Sequence, residues 1–291
     1  MIIVNPISGG ISKYNVLGII ASHINMQKYE VTMRSTLYAG HATELSANAV
    51  KEGFDMVVVV GGDGTVNEVA RSLVNTPIAL GIIPCGSGNG LARHLRIPMN
   101  VRKAVEIINE GIIDTIDSMT VNGIPCFCTA GVGYDAQVSA EYAKDSRRGL
   151  LTYVRKAIAG WFKYKPQEYI IETDNLIHKI KAVSVTLANA NQWGNEFHIA
   201  PKASLKDGLI DVTIINPIKF KNAIKFPFQI LSYSVDRNPD ICCFKTGAII
   251  IRRPYNDFIH VDGEPVSTDK NIHITINPQS LKLIVNPLVK P

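Results

Sequence analysis

Hydrophobic positions in the first 117 residues alternate between two kinds of pattern. Short continuous runs of isoleucine and valine are typical of strands that are buried on both faces. Between these runs, apolar residues recur at helical spacing. Repeated strands and helices predict a parallel sheet with helices on both faces, which binds ligands at the carboxyl ends of its strands. The pattern predicts strands at 2–4, 29–36, 54–60 and 78–84, and helices at 16–24, 42–51, 66–74, 91–95 and 102–109.

After about residue 118 the pattern changes to strand-like runs separated by turn signals. Several runs alternate with a period of two, as in Ile272, Ile274 and Ile276, which predicts a mostly antiparallel β-domain. We therefore predict an α/β domain at 1–117, rejoined by 279–291, and a β-rich domain at 118–278. The predicted strands after residue 118 are 169–173, 180–188, 209–215, 248–252, 258–261, 272–276 and 281–285, the last of them in the rejoining segment.

Composition supports a folded globular protein and excludes several other classes. Apolar residues make up 46% of the chain and charged residues 19%, which excludes disorder. The longest purely apolar run is 56–60, far below the roughly 20 residues of a membrane-spanning helix. The first residues have no basic region before an apolar run, so we expect no signal peptide and a cytoplasmic protein. The five cysteines include no C-x-x-C pair, which argues against a disulfide framework or a zinc site.

Positive charge is concentrated in one segment of the chain. Residues 144–165 contain seven basic residues and one acid, a net charge of +6, so the remaining residues sum to −1 of the total +5. The mild overall charge does not indicate a nucleic-acid partner. Apolar residues in the segment recur at helical spacing, which predicts a basic amphipathic helix. Such a helix can lie on an anionic membrane at its inner face, or it can pack as a surface helix on its own domain.

A glycine-rich loop follows the predicted strand at 54–60. It reads Gly61-Gly62-Asp63-Gly64-Thr65 and leads directly into a helix, and this geometry favours anions because glycines let the unpaired N–H groups approach phosphate. Asp63 suits a phosphate site only if Mg²⁺ lies between the carboxylate and the phosphates, which indicates a metal–nucleotide complex. The alternative is an ordinary corner between strand and helix.

A second loop, Gly86-Ser87-Gly88-Asn89-Gly90, repeats this arrangement after the strand at 78–84. Two consecutive loops of this kind open on the same edge of a parallel sheet, so we expect them to surround one polyphosphate. Neither loop has the spacing of a dinucleotide fingerprint, and the chain has no P-loop motif.

Three strings together resemble the diacylglycerol kinase catalytic-domain superfamily, in particular its soluble bacterial lipid kinases, a group that includes sphingosine and ceramide kinases. They are Gly61-Gly-Asp-Gly-Thr-Val-Asn-Glu68, Pro84-Cys-Gly-Ser-Gly-Asn-Gly-Leu-Ala92 and Asp262-Gly-Glu264. The resemblance implies an α/β domain followed by a β-sandwich, with ATP in a cleft. It also implies Mg²⁺ and transfer of the γ-phosphate to a lipid hydroxyl.

The resemblance also implies roles for individual residues. Thr36 matches a nucleotide-side threonine, and the segment after the first strand matches a first nucleotide loop. From the residues alone, Asn5-Pro6 is a turn and Thr36 an ordinary strand residue. The implied ATP contacts are Asn5, Pro6, Ser8, Gly9, Thr36, Gly61, Gly62, Asp63, Gly64, Thr65, Val66, Asn67, Glu68, Gly86, Ser87, Gly88 and Asn89.

Glu264 is the predicted general base, with Asp63 as the second catalytic residue. A carboxylate within hydrogen-bond reach can take the proton of a weakly nucleophilic hydroxyl as the bond to phosphorus forms. The family places its base at this glutamate. The alternative is that Asp262-Gly263 is a hairpin turn without any chemistry.

Two further assignments rest on the resemblance. Ser204, Asp207 and Leu209 match the loop in which bacterial members hold a structural Mg²⁺, although Asp207-Gly208 is equally typical of a simple turn. Asp117 matches an acidic position near the lipid or metal network, and its alternative is a solvated carboxylate.

The acceptor remains open at this point. Many diacylglycerol kinases carry aspartate at the position of Gly90, so a sphingoid base or related lipid competes with diacylglycerol. A soluble-substrate kinase of NAD-kinase type shares the first loop, but its second signature, N-x-G-x-L-G-F, is absent. A noncatalytic nucleotide-binding or membrane-binding protein is a third alternative, and both a monomer and a homodimer are consistent with the sequence.

Overall fold

The structure is a computed structural model, and its contacts divide the chain into two compact units. The first comprises Met1–Ser118 with Pro278–Pro291, and the second comprises Met119–Asn277. Most of the predicted basic helix, 144–159 and 162–163, lies outside the described residues. The structure describes residues 1–7, 13–143, 160–161, 164–174 and 176–287.

A parallel sheet forms the centre of the first unit. Its strands lie in the order β2-β1-β3-β4, and they are β1 (Ile2–Val4), β2 (Met33–Ser35), β3 (Met56–Gly61) and β4 (Ala79–Pro84). The end of a long C-terminal strand pairs with β4, also parallel, through Leu283 and Leu80. The valines at 57–60 are buried, as expected for a strand whose two faces are both covered.

Helices complete the first unit, and their ends follow from local sequence. Asn100 caps α5, where its Oδ1 accepts the Lys103 N–H at 3.1 Å, and the helix ends at Gly111 with φ 67°. The helices are α1 (Lys13–His23), α2 (His41–Lys51), α3 (Asp63–Leu73), α4 (Gly90–His94) and α5 (Val101–Glu110).

Two sheets form the second unit. The first sheet is antiparallel in the order β12-β11-β10-β7-β14-β15, with β7 (Thr129–Gly133), β10 (Ser184–Ala188), β11 (Ile210–Ile215), β12 (Ile241–Thr246), β14 (Asp257–Val261) and β15 (Glu264–Thr268). In the second sheet β13 pairs antiparallel with β8 and with the start of β16, and β8 pairs with β9. These strands are β8 (Gln167–Thr173), β9 (Leu176–Ala182), β13 (Ala248–Arg252) and β16 (Asn271–Ile284).

Side chains from both sheets of the second unit bury one another in a shared core, which makes this unit a β-sandwich. A hairpin of β5 (Ile113–Val121) and β6 (Ile124–Cys126) contributes Met119 and Val121 to that core. The core also contains Val132, Val185 and Val212 from the first sheet and Ile171, Ile251 and Ile274 from the second.

The predicted fold class, a parallel α/β unit followed by a mostly antiparallel β-sandwich, is confirmed. Individual elements differ from the prediction. The run at 180–188 divides at Val183 between β9 and β10, which lie in different sheets, and the two runs after residue 271 form the single strand β16. Only Met33–Ser35 of the predicted strand at 29–36 is extended. The helices α6 (Tyr134–Ala143), α7 (Phe220–Ala223) and α8 (Phe226–Leu231) were not predicted. Among the described helices, none combines the length and the apolar character needed to cross a membrane.

Candidate active site

The two glycine loops of the first unit lie against each other. Gly61 at the end of β3 pairs with Pro84 at the end of β4, and the Cys85 N–H donates to the Gly61 carbonyl at 2.8 Å. Both loops therefore leave the same edge of the sheet. A Cβ on Gly86 would lie 2.6 Å from the Gly62 Cα, so only glycine permits this approach of the two backbones. We call the two adjoining loops, residues 61–65 and 86–90, the cradle.

Asp63 ties the second loop to the first. Its two carboxylate oxygens accept the backbone N–H groups of Asn89 and Gly90, each at 2.7 Å. Hydrogen bonds to a carboxylate are shorter and stronger than neutral ones. A Cβ on Gly88 would lie 2.6 Å from Asp63 Oδ2, so this glycine also makes room for the carboxylate. Asp63 thus organises the loop that follows the neighbouring strand.

Asn89 holds the second loop in shape from within. It is buried, its φ is 51°, and its side chain forms two hydrogen bonds with Gly86: Oδ1 accepts the N–H at 3.0 Å and Nδ2 donates to the carbonyl at 2.8 Å. Ser87 at the tip is exposed. The amide of Asn89 is therefore a structural brace, and the hydroxyl of Ser87 lies at the accessible surface of the loop.

The loop after β1 joins the same edge of the sheet. Asn5 Nδ2 donates to Thr65 Oγ1 at 2.8 Å, and Asn5 Oδ1 accepts the Ile7 N–H at 3.1 Å, as in an Asx-turn. Thr65 and Thr36 are buried, and the Thr36 N–H donates to the Val4 carbonyl at 2.9 Å. Pro6 is exposed, while Ser8 and Gly9 lie outside the described residues.

The first motif continues into α3, where its residues are buried or half-buried. Val66 and Asn67 are buried in α3, and Gly64 is half-buried. The Glu68 carboxylate accepts the backbone N–H groups of Gly40 at 3.0 Å and Ala42 at 3.2 Å, and so caps the start of α2. Glu68 therefore has a structural task that its place in the motif did not reveal.

Glu264 stands at a tight turn in the second unit. Asp262 and Gly263 have φ values of 49° and 85°, the left-handed conformation that a two-residue hairpin loop of type I′ requires. Glu264 is exposed as the first residue of β15, where it pairs with Val261. The predicted hairpin is therefore present, and it presents the Glu264 carboxylate at the surface of this unit.

Asp262 was not among the predicted site residues, although it belongs to the third motif string. Its Oδ1 accepts the N–H groups of Cys128 at 2.7 Å and Thr129 at 3.1 Å, and its Oδ2 accepts the Phe127 N–H at 2.9 Å. The Cys126 thiol adds a fourth donor at 3.2 Å. Burial, with the nearby Asp262 carboxylate as the second cause, raises the pKa of this thiol well above its usual range, so it keeps its proton. Asp262 therefore fixes the hairpin that carries Glu264. In the sequence it shows only as the first half of an Asp-Gly turn.

The ammonium group of Lys245, from β12, contacts the loop that was predicted to hold a structural Mg²⁺ ion. The Lys245 ammonium lies 2.6 Å from Asp207 Oδ2 and 3.1 Å from Asp211 Oδ2, and it donates to the Lys202 carbonyl at 3.0 Å. The other oxygen of Asp207 accepts the Leu209 N–H at 3.2 Å. Partial burial disfavours the charged ammonium, but the two carboxylates outweigh this effect and raise the pKa of Lys245.

Ser204 forms a local turn in the same loop, and the assignment of a Mg²⁺ ion to it, partly through backbone carbonyls, stays a prediction. Ser204 Oγ accepts the Lys206 N–H at 3.3 Å, as in a turn. In the described part of the chain no three His, Cys, Asp or Glu side chains are grouped so that they could hold a metal ion. We therefore do not carry a Mg²⁺ ion at Ser204, Asp207 and Leu209 into the account of function.

Asp117 lies in the first unit and is buried. Its Oδ1 accepts the N–H of Gln279 at 2.8 Å, and Gln279 has a φ of 48°. The next residue, Ser118, is hydrogen-bonded to Ser280 at 2.8 Å between the two hydroxyl oxygens. Asp117 thus supports an irregular step in β16 and is not a solvated carboxylate.

Two family models match the chain in succession. The one described as the diacylglycerol kinase catalytic domain matches residues 1–121, and the one described as the YegS C-terminal NAD kinase beta sandwich-like domain matches residues 128–285. The second match alone covers more than half of the chain.

Similar proteins are found along nearly the whole length. The "Diacylglycerol kinase" of Bacillus subtilis is 28% identical over 269 residues, which is 90% of this chain and 88% of that protein. The "Probable lipid kinase YegS" of Escherichia coli is 28% identical over 264 residues, which is 88% of this chain and 87% of that protein.

Solved structures support the fold. A crystal structure of a diacylglycerol kinase from Bacillus anthracis has a TM-score of 0.75 at 20% identity and covers 99% of this chain and 97% of that one. An NAD kinase from Archaeoglobus fulgidus in complex with ATP has a TM-score of 0.55 at 13% identity, covering 98% and 93%.

Proposed function

The chain belongs to the diacylglycerol kinase catalytic-domain superfamily as a lipid kinase of the bacterial type, and from this premise we propose that it transfers the γ-phosphate of ATP to a hydroxyl group of a membrane lipid. The observation that carries the proposal is the contact between the two glycine loops, with Asp63 hydrogen-bonded across them. Backbone N–H groups at the carboxyl edge of a parallel sheet suit a polyphosphate.

We assign the phosphates of MgATP to this cradle. Gly62, Gly64, Gly86 and Gly88 let the backbone approach the phosphate oxygens. Thr65, with Asn5 hydrogen-bonded to it, supplies polar side chains at the same edge. A Mg²⁺ ion bound with ATP would neutralise charge on the phosphates. Asp63 is the carboxylate we assign to this ion, although both of its oxygens also accept backbone N–H groups of the second loop. In this assignment Asp63 serves the site mainly by keeping the second loop in place.

We assign the general base to Glu264. Its carboxylate takes the proton of the lipid hydroxyl while the hydroxyl oxygen bonds to the γ-phosphorus and the bond from phosphorus to the ADP oxygen breaks. The support is the exposed position of Glu264 on a hairpin that Asp262 anchors through four donors. A hairpin that is fixed by hydrogen bonds keeps a catalytic side chain in position.

The acceptor within this class is best tested directly. Purified protein is incubated with labelled ATP and Mg²⁺ and with mixed micelles that contain diacylglycerol, monoacylglycerol, sphingosine, ceramide or phosphatidylglycerol. NAD serves as a separate soluble acceptor. We expect label in a lipid, with diacylglycerol first because a similar protein of Bacillus subtilis is named for it. Label in NAD alone would contradict the proposal, and so would an absence of label in every acceptor.

Glu264→Gln separates chemistry from nucleotide binding. The amide cannot take a proton, so we expect turnover on the lipid acceptor to fall by about 10²-fold or more while ATP binding is unchanged. Asp269→Asn, an exposed carboxylate change five residues further on, is the matched control and leaves both quantities unchanged. Turnover of Glu264→Gln at the level of the control would remove Glu264 from this role.

A further inference from the structure

An apolar surface in the second unit is turned towards solvent. Ile224 is 59% exposed, Phe228 72% and Leu231 52%. Phe228 and Leu231 are three residues apart in α8, which places them on one face of that helix, and Ile224 lies in the turn that precedes it. We call these three residues, with the lysines described below, the docking patch.

The opposite face of the same helix supplies the packing that holds it in place. Phe226 and Ile230 of α8 are buried in a core cluster with Val235 and Ile241. The helix therefore does not need Phe228 or Leu231 for its own attachment. Large apolar side chains exposed on one face of α8 and in the turn before it form the kind of surface that is typical of an interaction site.

Lysines frame this apolar face. Lys219, Lys221 and Lys225 are exposed, and residues 217–231 contain no acid, so the segment carries +3 of the chain's net +5. Two carboxylates follow it along the chain, and one of them contacts the segment itself. Asp236 pairs with Lys202 at 2.7 Å, and Asp240 accepts the Asn222 side-chain amide at 2.7 Å and the Lys219 N–H at 3.0 Å. Asp240 therefore offsets part of the charge of Lys219 and Lys221, and the segment together with Asp240 keeps a net charge of +2 that can attract an external anion.

We propose that the docking patch lies on an anionic bilayer, with Ile224, Phe228 and Leu231 in the boundary between headgroups and acyl chains and the three lysines at the lipid phosphates. An apolar face framed by basic residues is the arrangement of an interfacial helix. The inference rests on the proposed function, because a kinase for a membrane lipid must reach its acceptor at a bilayer surface. A second copy of the chain would bring the same three lysines against each other, so the charge favours the bilayer.

Co-sedimentation of the full chain with vesicles tests the patch. The vesicles are equimolar phosphatidylglycerol and phosphatidylcholine, with phosphatidylcholine alone as the neutral comparison. We expect Lys219→Gln/Lys221→Gln/Lys225→Gln to reduce partition onto the anionic vesicles at least tenfold, since each basic residue near the surface contributes a factor of about five. Phe228→Ser/Leu231→Ser is expected to reduce it by about tenfold or more through lost apolar burial.

Matched controls carry the same chemical changes elsewhere. Lys51→Gln/Lys103→Gln/Lys270→Gln removes three exposed charges, and Leu176→Ser/Ile177→Ser removes two exposed apolar side chains. Both should bind vesicles like the unaltered chain. A variant that keeps the patch but carries Arg147→Gln, Arg148→Gln, Arg155→Gln and Lys156→Gln tests the basic segment separately. If only that variant loses binding, the docking patch is not the membrane surface.

A gain of signal complements these losses. Phe228→Trp should show a blue shift of its fluorescence emission with anionic vesicles and none with neutral ones, after subtraction of the unaltered chain. An unshifted emission overturns the proposal, and so does a shift that follows protein concentration without vesicles, which would identify a second copy of the chain as the occupant.

The kinase proposal and the patch fail in distinguishable ways. With a short-chain diacylglycerol in solution as acceptor, the patch variants should retain the turnover of the unaltered chain, while turnover on vesicle-borne diacylglycerol falls with partition. Absence of turnover on every acceptor would contradict the kinase. Equal turnover of patch variants and unaltered chain on vesicles would contradict the patch alone.

Discussion

Gly86 and Gly62 are the residues at which a single added methyl group would separate the two glycine loops. A Cβ on Gly86 would meet the backbone of Gly62 at 2.6 Å, and a backbone atom cannot rotate away as a side chain can. We expect Gly86→Ala to move the loops apart and weaken ATP binding at least tenfold, about 1.4 kcal/mol, in isothermal titration calorimetry. The amide groups assigned to the phosphates would no longer converge.

Gly18 provides the matched control for this change. It lies exposed in α1 and a Cβ there would meet no atom within 4 Å. Gly18→Ala should bind ATP as the unaltered chain does, and its free energy of unfolding should rise by up to about 1 kcal/mol because alanine is the better helix former. Unchanged ATP affinity in Gly86→Ala would show that the close approach of the loops is not needed for binding.

The glycines and acidic residues of the loops could be identified from the sequence. Their hydrogen-bond partners could not. Gly61-Gly62-Asp63-Gly64 exceeds what a turn requires, so the loop was recognisable as a site from spacing alone. The Asp63 carboxylate bonds to N–H groups 26 and 27 residues away, and Glu68 bonds to N–H groups 28 and 26 residues away. Such partners depend on which strands are neighbours, and local sequence does not contain that information.

The β14–β15 hairpin owes its position to Asp262. The carboxylate accepts three backbone N–H groups and a thiol, and these donors are partly buried. Without it they would lose their acceptor, so we expect Asp262→Ala to lower the free energy of unfolding by roughly 3 kcal/mol or more in urea titration. Asp262→Asn should lose about half as much, because asparagine also adopts the left-handed conformation of the turn and keeps one oxygen.

Glu264→Gln is the control on the same hairpin. Glu264 is exposed, so its change should leave the free energy of unfolding within about 0.5 kcal/mol of the unaltered chain. If Asp262→Ala were as stable as this control, the Asp-Gly turn alone would hold the hairpin.

Strands were predictable where one apolar run in the sequence forms one strand of one sheet. This holds for β3 and β4, whose apolar runs are buried on both faces. The run at 180–188 shows why other elements were missed. Its residues are strand-like throughout, but Ala182 pairs in one sheet and Ser184 in the other. α8 is only six residues long and begins with Phe-Pro-Phe, a string too short and too apolar to show helical periodicity.

Across the whole molecule, sequence predicted the class of each unit and the strings that mark the family, because these are local or repeated features. The Lys245 ammonium group at the 204–211 loop could not be predicted in this way. Lys245 is 38 residues from Asp207 along the chain and reaches it because β11 and β12 are neighbouring antiparallel strands, in which Asp211 pairs with Lys245. The resemblance implied a Mg²⁺ ion at Ser204, Asp207 and Leu209, whereas strand pairing brings an ammonium group to Asp207.

The stability of the whole chain should therefore be independent of divalent cations at this loop. We expect the same free energy of unfolding in EDTA and in Mg²⁺. Lys245→Met should lower it by roughly 1–3 kcal/mol, because Asp211 is buried and would lose its cationic partner. In that variant the oxygens of Asp207, Asp211 and the Lys202 carbonyl form a set that a divalent cation prefers, so added Mg²⁺ should recover part of the loss.

Lys179 gives the comparison that isolates this effect. It pairs with Glu168 at 2.9 Å, but the two side chains are 67 and 61% exposed, so Lys179→Met should change the free energy of unfolding by no more than about 1 kcal/mol, with or without Mg²⁺. A chain that loses stability in EDTA with Lys245 intact would show that a metal ion binds beside the ammonium. EDTA cannot remove an ammonium group that belongs to the chain. The second unit should therefore unfold at the same urea concentration whichever divalent ion is present, while the proposed turnover on lipid should depend on the Mg²⁺ that accompanies ATP.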